Sequence, residues 1–323
     1  MTAALVQFLL AAAIIAAAGI WLARFADGIA ESTGLGRLLT GSLFLAAATS
    51  LPEMTVDLNA VGMHLPDIAV GDLLGSSLFN LLILMAVSAF FHVSETPPPH
   101  PQRQALAATL SIVLTAVIGA GIVANLDAGF LRAGLFSWLT FLFYLGGLWI
   151  LFQQPPETGI AQHGTKQRLA ASITGYLGCT VAIVLTAPYL AEAADGLARM
   201  SGLGHSFIGT TLVALSTSLP ELAATIAAFR MNRPELAIGN IFGSNMFNMA
   251  MFLPLDWYYP GNLLHAAADV NAVTALGVIF CTAVAVAALL GGPRTSRRAV
   301  LTGNALVACS SVAVLLLIYR LHM

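Results

Sequence analysis

Two glutamates pose the first chemical question in this chain. Glu53 and Glu221 each close the word TSLPE, at residues 49–53 and 217–221, inside long apolar runs. On insertion scales a charged side chain at the bilayer centre costs about 2.5–3.5 kcal/mol. A basic partner is the usual compensation, yet no Lys or Arg falls near the middle of any predicted span. A proton or a bound cation must then offset the charge. Proline supplies the local geometry. Pro52 has no N–H and crowds the preceding turn, so the helix is expected to break near residues 46–50. Irregular backbone is tolerated at membrane depth only against protein or along a cavity. The break is expected to free carbonyls around Ala46 and Thr49, beside the hydroxyls of Thr49 and Ser50 and the carboxylate of Glu53. The second copy offers Ala214, Thr217, Ser218 and Glu221.

The segments that follow extend the donor set. Ser76 and Asn80 are four residues apart and share a helix face, as do Ser244 and Asn248. Gly71 with Gly75, and Gly239 with Gly243, are small-xxx-small pairs expected to let helices approach closely. These donors are hard oxygens. Ca²⁺ takes about six to eight of them at about 2.3–2.6 Å, a number this constellation can supply. Thiolates and clustered imidazoles, which favour zinc or copper, are missing from it. His64, His92, His100, His163, His205, His265 and His322 fall at loops or ends. Cys179, Cys281 and Cys309 lie in separate predicted spans and read as small apolar fillers.

The elements that must position these residues are membrane spans. Of the 323 residues 58% are hydrophobic and only 9% charged, with a mean hydropathy of +0.87. A soluble domain carries about a quarter charged residues; this chain lacks the polar surface to cover itself. The net charge of −2 gives no sign of a nucleic-acid partner. Ten apolar runs are read as spans, at 3–24, 38–62, 67–91, 105–124, 128–152, 169–191, 205–229, 235–254, 268–291 and 299–320. The first has no basic residue before its apolar stretch and Arg24 after it, the wrong charge order for a signal peptide. With the N-terminus outside, ten of the 13 Lys and Arg residues fall on the cytoplasmic side and only Arg132, Arg199 and Arg320 outside. Cytoplasmic loops are enriched in such residues, so both termini are expected outside.

Shifted by 168 residues, the chain overlies itself. Residues 35–80, LGRLLTGSLFLAAATSLPEMTVDLNAVGMHLPDIAVGDLLGSSLFN, align without a gap on 203–248, LGHSFIGTTLVALSTSLPELAATIAAFRMNRPELAIGNIFGSNMFN. Four glycines coincide, at 36/204, 41/209, 71/239 and 75/243, as do Pro52 with Pro220, Glu53 with Glu221 and Asn80 with Asn248, which marks a duplication. Each half holds five spans, so the second enters the membrane from the opposite side. The charges agree: GMHLP after the first glutamate-bearing span has no Lys or Arg, and its counterpart FRMNRP carries Arg230 and Arg233. The expected organisation is an all-α polytopic membrane protein of ten transmembrane helices in two inverted five-helix repeats, with helices broken at the midplane. The halves are 1–152 and 169–323, with repeat cores at 35–84 and 203–252 and a polar cytoplasmic linker at 153–168. Inverted repeats around a midplane site are the signature of secondary transporters.

The paired TSLPE and GS-x-x-F-N words resemble the alpha repeats of the cation/calcium exchanger superfamily, and most of all its compact prokaryotic sodium/calcium exchangers. That resemblance implies Glu53 and Glu221 as central ligands, flanked by Thr49, Ser50, Ser76, Asn80, Thr217, Ser218, Ser244 and Asn248. It implies Ca²⁺ and Na⁺ as transported ions, no cofactor, and no obligatory protein partner. It further implies a prokaryotic inner membrane, and alternating access by sliding of the first and sixth spans across the others. Three positions depart from the family pattern. Asp72 stands where members usually carry asparagine, as the second copy does at Asn240. Asp57 stands one turn beyond Glu53, where the second copy has Thr225. Asn248 stands where potassium-dependent relatives tend to carry aspartate. Asp57 either lines the ion path with Ser50 and Glu53 or is a solvated carboxylate at the mouth of its span.

Several functions fit the residues. The leading one is a secondary antiporter exchanging Ca²⁺ for Na⁺. Ca²⁺/H⁺ exchange stays open, since either glutamate could bind a proton. An intramembrane enzyme with the acids as a dyad leaves the hydroxyl and amide donors unexplained, and a channel would not need the inverted halves. No nucleotide-binding loop is present to drive a primary pump.

Overall fold

The computed structural model describes residues 2–91, 101–154, 166–200, 217–290 and 297–322. It is helical throughout except for a two-residue hairpin, Gly129–Phe130 paired with Ala133–Gly134. Seven helices are long and apolar enough to cross a membrane: Thr2–Thr33, Pro66–Phe90, Pro101–Ala124, Leu135–Phe152, Arg168–Leu190, Pro234–Tyr258 and Val270–Leu290. Shorter apolar helices run over Arg37–Thr49 and Ala305–Val314. The remaining expected spans differ for local reasons. Residues 38–62 divide at Ser50 into Arg37–Thr49 and Leu51–Gly62. Residues 205–216 lie outside the described residues, leaving Leu219–Arg230 of that span as a helix. The run expected over 128–152 begins as a helix only at Leu135, because Leu131 and Arg132 take positive φ (50° and 67°) and turn the chain into the hairpin.

The described chain forms two compact units, each drawing on both sequence halves. The first comprises Met1–Thr55 and Pro155–Asn240. In it Thr2–Thr33 packs along Lys166–Met200 and against Leu219–Arg230. Gly19 makes the second contact possible, since a Cβ there would stand 2.9 Å from the Ala223 methyl and 3.1 Å from the Pro220 carbonyl. Thr2–Thr33 outruns its expected span and carries Asp27 and Glu31 into a charge cluster. Arg37 lies 2.6 Å from Asp27 and 3.4 Å from Glu31, Arg233 lies 3.3 Å from Asp27 and 3.5 Å from Glu31, and Arg168 lies 3.1 Å from Glu31. Ion pairs at helix ends escape the desolvation that a mid-span pair would suffer.

The second unit comprises Val56–Gln154 and Ile241–Met323. Val270–Leu290 is its central helix, packed on Pro101–Ala124, Pro66–Phe90 and Arg297–His322. A buried carboxylate, Asp256, holds one end of this unit. It accepts from the Gly134 amide (2.6 Å), the Ser137 hydroxyl (2.6 Å) and the Leu263 amide (2.7 Å), so its burial is fully compensated.

Candidate cation site

The two prolines act as their chemistry requires. In the first unit the helix ending at Thr49 stops at Ser50 (φ −92°, ψ 2°), and a new helix begins at Leu51 with Pro52 in its first turn. In the second copy Ser218 (φ −84°, ψ 5°) precedes Leu219–Arg230, which starts with Pro220 in its first turn. A proline in a first turn loses no helical hydrogen bond. Glu53 and Glu221 therefore each sit in the first turn of a helix, where the exposed amides favour a negative charge. Both are buried, at 1% and 0% exposure.

The copies meet where the Ser50 hydroxyl donates to Glu221 Oε1 at 3.2 Å. Glu221 Oε2 and Ser218 Oγ have neither solvent contact nor a hydrogen-bond partner among the described residues. Thr49 Oγ1 lies 3.1 Å from the Leu45 carbonyl, 3.2 Å from the Ala46 carbonyl and 3.3 Å from Asn240 Oδ1. Asn240 in turn donates through Nδ2 to the Thr225 hydroxyl at 3.3 Å. Thr217, like Thr49 and Ser50, is buried.

The expected freeing of one carbonyl is corrected here. The Ala46 carbonyl is not freed by the break; it accepts the Ser50 amide at 3.0 Å and faces the Thr49 hydroxyl at 3.2 Å. Pro52 has no N–H, so the carbonyl it deprives of a helical donor is that of Ala48, four residues back, and Ala46 keeps its ordinary helical bond from the Ser50 amide. Ala214, its counterpart, lies outside the described residues. The sequence also gave no notice of the π-helical turn at Gly41–Leu45 just before the site. Such turns concentrate at functional positions.

The second unit holds the other expected donors. Ser76, Asn80, Ser244 and Asn248 are all buried, none more than 1% exposed. Ser76 Oγ, Asn80 Oδ1 and both amide atoms of Asn248 have no solvent and no hydrogen-bond partner among the described residues. An orphaned buried polar atom costs about 1–3 kcal/mol. Asn80 Nδ2 donates to Asn245 Oδ1 at 3.0 Å, and Asn245 Nδ2 donates to the Ser77 carbonyl at 3.1 Å. Sequence reasoning missed Asn245, which sits at the repeat position of Ser77.

Asp57 is fully buried, which overturns the solvated alternative for it. Neither of its oxygens has a well-formed hydrogen bond, nor does Asp72 Oδ2, although the two side chains lie within interaction range of each other. The equivalent positions in the first unit hold the hydrogen-bonded pair Thr225 and Asn240. The glycine pairs also behave unequally. Gly239 does serve close approach, but to the segment at Gly41: a Cβ on Gly239 would stand 2.5 Å from the Leu38 carbonyl, and one on Gly41 would stand 2.6 Å from that of Leu236. Among the described residues Gly75 has open space around it and Gly71 meets Asn271 at 3.5 Å; the repeat counterparts of Leu38 and Gly41, at 206 and 209, lie outside the described residues. His64 and His265 are exposed, Cys281 is buried and Cys309 exposed. No three of His, Cys, Asp and Glu converge among the described residues. The buried polar groups of each unit taken by itself are hydroxyl, amide and carboxylate groups, whose oxygens are a kind suited to Ca²⁺ or Na⁺ and unsuited to zinc or copper.

Comparison with known proteins gives a consistent picture. The family model described as sodium/calcium exchanger protein matches residues 3–153 and 171–319. The inner membrane protein YrbG of Escherichia coli is 27% identical over 269 residues, 78% of this chain and 79% of its own. The sodium/calcium exchanger MaX1 of Methanosarcina acetivorans is 25% identical over 276 residues, 74% of this chain and 79% of its own. A solved structure of the sodium-calcium exchanger NCX_Mj, soaked with 10 mM Na⁺ and zero Ca²⁺, superposes with a TM-score of 0.73. It covers 95% of this chain and 97% of that one at 19% identity, a likeness of fold.

Proposed function

The chain belongs to the sodium/calcium exchanger protein family, and from that premise we propose that it is a secondary antiporter moving Ca²⁺ out of one compartment in exchange for Na⁺. The observation that carries this reading is the hydrogen bond from Ser50 to Glu221. It joins the two TSLPE copies through a carboxylate whose second oxygen is left without a partner. Glu53 and Glu221 are the charged ligands. Thr49, Ser50, Ser76, Asn80, Thr217, Ser218, Ser244 and Asn248 are the neutral ones. Two carboxylates neutralise one Ca²⁺, or host monovalent ions in its place. Occupancy by one kind of ion excludes the other, so exchange needs no nucleotide.

The architecture proposed around this site is ten spans in two inverted halves, 1–152 and 169–323, joined by a cytoplasmic linker at 153–168. The repeats at 35–84 and 203–252 supply the ligands, and the first and sixth spans slide to alternate access. Both termini lie outside a prokaryotic inner membrane. The charge cluster supports this orientation, because Arg37, Arg168 and Arg233 gather around Asp27 and Glu31 and all belong to connections read as cytoplasmic. Asp57 and Asp72 belong to the ion path.

Proton coupling is the competing reading, favoured by the same buried acids. Purified protein in liposomes separates the two. ⁴⁵Ca²⁺ uptake should follow an outward Na⁺ gradient at equal pH on both sides. Uptake that follows a pH gradient and ignores Na⁺ would establish Ca²⁺/H⁺ exchange instead.

A further inference from the structure

We infer that Asn245 is a positioning residue that forces Asn80 to present its oxygen, and not its NH₂, to the bound cation. The inference rests on the reading of Asn80 as an ion ligand. A buried asparagine offers a donor at one end and an acceptor at the other, and only the acceptor is useful to a cation. Something must fix which end faces the ion. The chain of bonds in the second unit does so without ambiguity.

It begins at a carbonyl. The Ser77 carbonyl can only accept, so the Asn245 atom 3.1 Å away must be its NH₂. Asn245 then turns its Oδ1 toward Asn80 and can only accept there. The Asn80 atom at 3.0 Å must in turn be its NH₂. Asn80 Oδ1 is left at the other end of the amide, buried and without a hydrogen-bond partner among the described residues. Each end of the Asn245 amide is used, and Asn245 is itself completely buried, so neither amide can flip without breaking a bond that no water replaces. Asn245 touches the ion only through Asn80. In the first repeat its position is Ser77, whose hydroxyl donates to the Leu73 carbonyl at 2.9 Å and cannot play this part.

The test is a double-mutant cycle on the full chain, read by equilibrium ⁴⁵Ca²⁺ binding and by maximal exchange rate in liposomes. Asn245→Leu keeps the volume and removes both bonds. It should weaken Ca²⁺ binding about fivefold, the equivalent of one net hydrogen bond, while the rate at saturating Ca²⁺ holds. Asn245→Ala serves if the leucine variant folds poorly. In an Asn80→Ala background, Asn245→Leu should cost no further affinity, because nothing remains to orient. Asn80→Asp should restore binding to Asn245→Leu, since a carboxylate offers oxygen whichever way it turns. Wild-type affinity in Asn245→Leu, or losses that add in the Asn80→Ala background, would overturn the positioning role. Unchanged binding in Asn80→Ala alone would instead overturn Asn80 as a ligand, and the inference with it.

Discussion

The chain carries its own control for the cost of Asp57 and Asp72. At the matching repeat positions Thr225 and Asn240 make a 3.3 Å hydrogen bond. The first repeat puts two carboxyls there, with both oxygens of Asp57 and Oδ2 of Asp72 buried and lacking well-formed hydrogen bonds. The double substitution Asp57→Thr with Asp72→Asn installs the neutral pair. Each orphaned buried group costs about 1–3 kcal/mol. Relief of one such group with one neutral hydrogen bond gained gives about 2 kcal/mol of stabilisation. A domain of about 150–250 residues shifts by about 2–4 °C for each kcal/mol. Taking the low end for this longer chain gives a rise of about 4 °C. The assay is thermal unfolding of purified protein in detergent with chelator present, so that no bound Ca²⁺ contributes. The double variant should also need more Ca²⁺ for half-maximal exchange, since a charge that concentrates cations has been removed, while turnover at saturation survives. A midpoint at or below that of the wild type would refute the reasoning, because it would show that the two acids are satisfied in a way the geometry does not reveal.

The glycine contacts make a graded prediction. Gly239→Ala places a Cβ 2.5 Å from a carbonyl and should destabilise by about 1–3 kcal/mol. Gly75→Ala, with open space around it among the described residues, should be neutral or slightly stabilising in the same unfolding assay. For orientation, a cysteine replacing His64 should react with a membrane-impermeant thiol reagent in intact cells, and one replacing Gln153 should not, the three native cysteines having first been replaced. Labelling of the Gln153 position from outside would reverse the assigned topology.

Much of the fold was legible because duplication writes the same constraints twice. Pro52 and Pro220 announced the breaks; the structure places the first at Ser50, and Ser218 precedes the helix that carries Pro220. Burial of Glu53 and Glu221 followed from apolar runs on either side of them. The misreadings have physical causes. A proline deprives of its donor the carbonyl four residues before it, here Ala48; Ala46 lies two residues off the break and keeps its ordinary helical bond from the Ser50 amide. Gly41 meets the Leu236 carbonyl, a pairing across nearly two hundred residues that a local glycine spacing cannot register. Asp57 could have been solvated, since a helix period does not say how deep a turn lies. Asn245 was invisible for another reason: its work is done on Asn80, and only the bonds at its two ends reveal it. One signal was available, an asparagine in the second repeat where the first has serine.

The central claim is that one carboxylate from each inverted repeat is needed for a single Ca²⁺ site. Equilibrium ⁴⁵Ca²⁺ binding to purified wild type, Glu53→Gln and Glu221→Gln tests it most directly. Both substitutions keep shape and remove charge, and Glu221→Gln retains an oxygen for the Ser50 hydroxyl. The account predicts saturable binding to the wild type, lost in each variant while the protein remains folded. Wild-type Ca²⁺ affinity in either variant would contradict it.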